Sequence, residues 1–205
     1  MSIDIVNDNY DKQLTYRRMM ARYKKAIKEE FYLEALLIAY GTIEDRLRAF
    51  IYYIGGIRKF EDENLNVNKT KKHLRKIYFG SYELAKNKPL NINKLSDKIQ
   101  LIKKTLEWSQ EFVGVSEFEY LNTLKSEYEG CLDIGGMLEI LELIDKWRVN
   151  RNAVIHGLLN KSVYSLNESL YELAEQGYSY ARFIDDQVKK LKRKNIIRKQ
   201  CGIIR

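Results

Sequence analysis

The sequence predicts an all-α protein with a single domain, and three observations support this fold class. Only one proline, Pro89, occurs in 205 residues, and several glycines fall in pairs, at Gly55-Gly56 and Gly135-Gly136. Between these breaks apolar residues recur at helical spacing, and the alternation typical of strands is almost absent. No internal repeat or second core is evident. We therefore expect an up-and-down bundle of about five or six helices over residues 1–188, followed by a basic extension of the last helix over 189–205.

Apolar periodicity and boundary residues predict the helices in chain order. Gly55-Gly56 ends the second helix, and Ser96 is the expected N-cap of a central one. Residues 61–95 are rich in Asn and Lys and predict a connection with one short helix. Five helices are predicted, with approximate ends: Asp11 to Glu29, Phe31 to Ile54, Ser96 to Phe112, Met137 to His156 or Leu159, and Leu166 to Arg198. Short helices near Lys69 to Ala85 and over Ser116 to Tyr128 are further candidates.

Composition excludes several classes of protein. No run of about 18 apolar residues exists, so no membrane span is predicted. The stretch from Met1 to Lys12 has no apolar core, so a signal peptide is not expected. Cys131 and Cys201 lie 70 residues apart and form neither a metal pair nor a disulfide framework. These features predict a cytoplasmic protein without metal or cofactor.

The net charge of +8 is unevenly distributed along the chain. The last 17 residues hold eight Lys or Arg and no acid, and the remainder is balanced at 28 basic and 28 acidic residues. Such a segment favours a polyanionic partner, above all a nucleic acid, although a solubilising helix end would also carry these residues. The candidate nucleic-acid-binding residues are Lys189, Lys190, Lys192, Arg193 and Lys194.

The helix that starts near Met137 has a clear apolar face, which one charged residue interrupts. Its apolar residues fill an arc of about 160°, and the opposite side is polar. Arg151 falls near the middle of the apolar arc. Arg148, Asn152 and His156 follow one another at i+4 spacing along its margin.

An arginine on a buried stripe costs free energy unless it is paired or faces a polar cleft. Two interpretations remain open. In the first, Arg151 makes a structural ion pair with an acid of another helix, for which Glu44 is available. In the second, Arg151 awaits an anion at a cleft or at a symmetric subunit contact. Five residues separate Arg151 from His156, so the two side chains point about 140° apart on one helix. Two copies of the helix meeting across a two-fold axis would bring them together.

The string Arg151-Asn152-Ala153-Val154-Ile155-His156 resembles the R-N-x-x-x-H signature of the HEPN superfamily. Its place near the end of the penultimate long helix and the helical character of the chain are also similar to HEPN domains. Many HEPN proteins are metal-independent endoribonucleases, often toxins of toxin–antitoxin or phage-defence systems. The resemblance implies a homodimer whose two motifs share a cleft, RNA as substrate, and an antitoxin protein as a possible partner.

The resemblance assigns residues by position. Arg151 and His156 would be the catalytic pair, and Asn152 would support them. Two further supporting candidates come from the helix pattern and not from the resemblance: Arg148, which lies close to Arg151, and Glu44, which lies at the edge of the apolar stripe of the second helix. Arginine suits the charge that develops on a phosphate, and histidine exchanges protons near neutral pH. The 2′-hydroxyl of RNA would be the nucleophile, so that 2′,3′-cyclic phosphate and 5′-hydroxyl ends result. Some family members continue as H-x-Y, a tyrosine that a partner enzyme modifies, but this chain has Leu158 there.

Other features have ordinary interpretations. The cluster Glu44-Asp45-Arg46 predicts a solvated charged surface, and His73 in a basic stretch predicts a surface histidine. Tyrosines such as Tyr40 fall on apolar stripes and predict packing rather than base stacking. The alternative to a nuclease is a non-catalytic helical module that binds nucleic acid or a protein partner.

Overall fold

The chain is all-α. The computed structural model describes residues 9–56, 67–86, 88, 90–160 and 162–194. Within these ranges there are eight α-helices and one 3₁₀ turn, whereas the sequence predicted about five or six helices. They are α1 (Asn9–Lys28), α2 (Tyr32–Tyr53), α3 (Val67–Phe79), α4 (Tyr82–Ala85), α5 (Leu95–Glu111), α6 (Glu119–Cys131), α7 (Ile134–His156), the 3₁₀ turn Leu158–Asn160 and α8 (Val163–Lys194).

Some predictions concern residues that the structure does not describe. Pro89, Cys201, most of the predicted connection before α3 and the basic segment beyond Lys194 lie outside the described residues. In the part of the chain that is described, no helix has the length and apolar character needed to cross a membrane.

The contacts group the chain into two compact units. The first contains Met1–Ile43 and Trp147–Ser179, and the second contains Glu44–Lys146 and Tyr180–Arg205. Three helices, α2, α7 and α8, contribute residues to both. The expectation of a single domain over residues 1–188 stays a prediction.

Two predicted helix boundaries are wrong for local reasons. The N-cap of α5 is Lys94, not Ser96, because the Asp97 carboxylate accepts the Lys94 backbone N–H at 3.3 Å and starts the helix earlier. The single helix expected from Lys69 to Ala85 is divided into α3 and α4. Gly80 separates them with a φ of +87°, a conformation that costs glycine little and that no helix interior contains.

His73 is buried, so the prediction of a surface histidine is wrong. The ring lies 4.5 Å from the Phe118 ring and 5.8 Å from the Tyr120 ring, between centroids. Its Nδ1 is 2.9 Å from the Tyr82 hydroxyl. The basic residues around His73 in the sequence suggested exposure, but these aromatic partners follow later in the chain and cover the ring.

The charged cluster on α2 is not merely a solvated surface. Arg46 donates from Nη1 to Asp185 Oδ1 at 2.9 Å and is also bonded to Asp45. Its side chain is 15% exposed and that of Asp185 is 9% exposed. The periodicity of one helix could not reveal that α8 supplies a carboxylate to this arginine.

Candidate functional site

The helix α7 has the two faces that the periodicity predicts. All five residues assigned to the polar side are exposed: Glu139, Glu142, Lys146, Asn150 and Ala153. Trp147 and Val154 are buried at 2% and 8% exposure, respectively. Arg151 lies on the helix surface between them and is half-buried, which confirms that a cation interrupts the apolar stripe.

Trp147 anchors this part of α7 within the first unit. Its indole Nε1 donates to the Leu173 carbonyl oxygen of α8 at 2.8 Å. The neighbouring residue on α8 is Gly177, where an added Cβ would lie 2.7 Å from Trp147 Cζ2 and 3.2 Å from Ala39 Cβ. The absence of a side chain at Gly177 therefore gives the indole the space between α8 and α2. This packing fixes the direction of the next helical turn, which carries Arg151.

The Arg151 guanidinium lies against an aromatic ring rather than against a carboxylate. Its Cζ is 4.0 Å from the ring centroid of Tyr40 on α2 and 6.0 Å from that of Trp147. Nη2 donates to Asn152 Oδ1 at 2.6 Å. Among the described residues no carboxylate forms an ion pair with Arg151, and its buried Nε has no hydrogen-bond acceptor. The positive charge is therefore held in place but not neutralised.

This arrangement favours an anion as the missing partner. Arg151 Nε is enclosed, so an external anion would bind at the Nη end of the guanidinium. A planar guanidinium offers paired N–H donors that match two oxygens of a phosphate or carboxylate. A ring beneath the guanidinium stabilises the cation without using those donors. Arg151 can thus receive an oxyanion.

Glu44, the predicted structural partner of Arg151, has a lysine partner within the second unit. Its carboxylate accepts a hydrogen bond from Lys98 Nζ at 2.9 Å, and the Lys98 side chain is only 6% exposed. Lys98 also donates to the Asn93 carbonyl oxygen at 3.0 Å. The charge of Glu44 is therefore used to satisfy a buried lysine.

His156 is exposed at the C-terminal end of α7. The Gly157 N–H lies 3.1 Å from both the Ala153 and Val154 carbonyl oxygens, and the 3₁₀ turn follows. Arg148 and Asn152 are half-exposed. Exposure increases from these two residues to His156 along the predicted margin, so the imidazole is accessible from solvent.

The candidate nucleic-acid-binding residues at the end of α8 are of two kinds. Lys189 bonds to Asp185 at 2.7 Å and to Asp186 at 3.4 Å, and Lys190 lies 3.3 Å from Gln187 Oε1. The other three, Lys192, Arg193 and Lys194, are exposed at the end of the described helix. The first two lysines are partly committed to contacts within the protein.

The sequence did not identify Tyr40 as part of the site. Its place on the apolar stripe of α2 correctly indicated packing, but the partner of its ring is a guanidinium. One-dimensional periodicity assigns a residue to a face of a helix, not to a neighbour on another helix.

Comparisons of the chain with protein-family models, curated proteins and solved structures found no match. Within the described residues, no cluster of three or more His, Cys, Asp or Glu side chains is arranged to hold a metal ion.

Proposed function

We propose that this protein is a metal-independent endoribonuclease of HEPN type. The observation that carries the proposal is the half-buried Arg151, which has no carboxylate partner among the described residues and lies on the same helix as the exposed His156. The R-N-x-x-x-H spacing and the all-helical chain agree with it. In this proposal the helices form a HEPN-like bundle.

The two residues have different roles. Arg151 stabilises the negative charge that accumulates on the non-bridging phosphate oxygens, and Asn152 orients the guanidinium through Nη2. His156 takes or delivers a proton. The 2′-oxygen attacks phosphorus as its proton leaves, the bond from phosphorus to the 5′-oxygen breaks, and that oxygen accepts a proton. The products are a 2′,3′-cyclic phosphate and a 5′-hydroxyl.

The proposed active unit is a homodimer. Arg151 and His156 project about 140° apart around α7. The two side chains of one copy therefore do not both point at the same phosphate. A two-fold contact between two copies of α7 would pair the arginine of each copy with the histidine of the other. The shared cleft would then contain two of each residue.

The proposed biological role is that of a toxin or phage-defence effector that cleaves RNA in the cytoplasm. This role follows from the resemblance, as does an antitoxin protein as partner. Because Leu158 stands two residues after His156, control by modification of a tyrosine at that position is not part of the proposal.

The proposal is tested by incubating purified protein with RNA in EDTA. Wild-type protein should cleave the RNA and leave 2′,3′-cyclic phosphate ends, which resist a phosphatase until they are opened by acid. His156→Ala and Arg151→Met should abolish cleavage while the protein remains folded. Asn150→Ala, an exposed change on the polar face of α7, is the matched control and should retain activity. Full activity of His156→Ala would refute the proposal.

A non-catalytic helical module that binds nucleic acid or a protein is the second candidate. The observation in its favour is the position of Arg151 against the Tyr40 and Trp147 rings, which would suit a purely structural cation. This candidate expects no cleavage by any wild-type preparation and a clear drop in melting temperature for Arg151→Met. The same two variants therefore separate the two functions.

A further inference from the structure

The first helix, α1, is strongly basic, although basic and acidic residues are equal in number over residues 1–188. Between Asn9 and Lys28, α1 contains seven Lys or Arg residues and a single acid, Asp11. Six of the cations lie in its last three turns, and all six are exposed: Arg17, Arg18, Arg22, Lys24, Lys25 and Lys28. These six residues are called the α1 basic face below.

The opposite side of α1 fixes how the helix is rotated. Tyr23 and Ala26 are buried at 3% and 2% exposure. The Tyr23 ring stacks on Tyr178 of α8 with centroids 4.4 Å apart, and its hydroxyl donates to Glu175 Oε1 at 2.6 Å. These contacts lie within the first unit, which also contains Arg151 and His156. The basic face is thus directed outward by packing.

Most of the α1 basic face is not neutralised by the residues that the structure describes. Arg22 is bonded to Glu34. The other five cations form no ion pair with any carboxylate in the described part of the chain. Like charges at neighbouring helical positions destabilise a helix by about 0.2–0.5 kcal/mol for each close pair. A bound polyanion would remove this repulsion.

We infer that the α1 basic face binds the phosphate backbone of RNA. From Arg17 to Lys28 the helix rises by about 16 Å, which spans several successive phosphates. The face offers charged side chains and no exposed aromatic ring in its described part, so it suits the backbone rather than the bases. A membrane is a poorer fit, because the buried side of α1 is already occupied by protein. The choice of RNA rests on the proposed function, but binding is separable from cleavage.

The test uses a 2′-O-methyl RNA oligonucleotide, which lacks the nucleophile and is not cleaved. Its binding to the full chain is measured by fluorescence anisotropy over a range of salt concentrations. The triple variant Arg17→Gln/Lys24→Gln/Lys28→Gln should bind about 10-fold more weakly near 0.1 M salt and should lower the salt slope by about 2 to 3. A charge-retaining variant, Arg17→Lys/Arg18→Lys, should bind like wild type.

The matched control removes the same charge elsewhere through Arg48→Gln/Lys86→Gln/Lys146→Gln, three exposed positions outside α1. Its affinity should remain within about 3-fold of wild type, since only diffuse charge is lost. Equal losses in the two triple variants, or no binding of the RNA by wild-type protein, would overturn the inference. So would binding to phosphatidylserine vesicles without binding to RNA. Cleavage of ordinary RNA in EDTA is scored separately, so the inference and the proposed function can fail independently.

Discussion

Arg46 and Arg151 are both half-buried arginines on long helices, yet their surroundings differ completely. Arg46 lies between the carboxylates of Asp45 and Asp185. Burial alone would lower the pKa of Arg46, but the two carboxylates outweigh it and raise the pKa above its ordinary value. Arg151 has an aromatic ring and one amide oxygen instead. A neutralised cation contributes to the fold, whereas an uncompensated one is available to an external anion.

The largest expected effect separates the two arginines by activity. Arg151→Met should reduce RNA cleavage by about 100- to 1,000-fold, because in the proposed mechanism it removes the group that stabilises transition-state charge. Arg46→Met should retain wild-type cleavage per folded molecule. Both are measured as initial rates in EDTA, normalised to the folded fraction from circular dichroism. Equal losses in the two variants would remove the functional distinction between them.

The effects on stability should rank the two variants in the opposite order, with the larger loss for Arg46→Met. Arg46→Met should lower the free energy of unfolding by about 2 kcal/mol, because the nearly buried Asp185 carboxylate loses one of its two cations and keeps only the more exposed Lys189. Arg151→Met should cost clearly less, since no carboxylate in the described ranges loses a counterion. Urea unfolding of both variants measures the difference. The double variant Arg46→Met/Asp185→Asn should recover part of the loss, and a larger cost for Arg151→Met than for Arg46→Met would contradict this explanation.

The ring beneath Arg151 provides a smaller and more specific test. Tyr40→Leu should lower the free energy of unfolding by about 1 kcal/mol beyond the loss for Tyr40→Phe, because only the leucine variant removes the ring face under the guanidinium. It should also reduce cleavage, since Arg151 is no longer held in one position. Thermal unfolding and the EDTA cleavage assay measure the two effects. Indistinguishable Leu and Phe variants would show that the ring contact contributes nothing.

The buried histidine His73 gives the smallest expected effect, a dependence of stability on pH. Burial, then Lys72 and Lys76, lower the pKa of His73 below its ordinary value of 6.5. The unfolded chain therefore takes up a proton below about pH 6.5 while folded His73 stays neutral. The stability present above that pH is lost as the pH falls through the folded pKa. Urea unfolding between pH 7.5 and 5 should show this loss in wild type and a flatter profile in His73→Phe.

Periodicity along single helices predicted much of this protein, and contacts between helices account for what it missed. The polar face of α7 and the intrusion of Arg151 into its apolar stripe are as the spacing indicates. The burial of His73 and the pairing of Arg46 with Asp185 depend on residues 45 and 139 positions away, respectively. The α1 basic face is not evident from the composition, for another reason. The basic and acidic residues of segment 1–188 are equal in number, but the basic ones far outnumber the acidic ones in α1.

Gly177 has a consequence for how sequences related to this one can diverge. A methyl group at this position would have to displace the indole of Trp147 or the methyl of Ala39. A substitution that enlarges the side chain at Gly177, Trp147 or Ala39 therefore requires a smaller side chain at one of the other two positions. This triplet is a composite marker for recognising distant homologues, in which a bulkier residue on α8 should accompany a smaller one on α7.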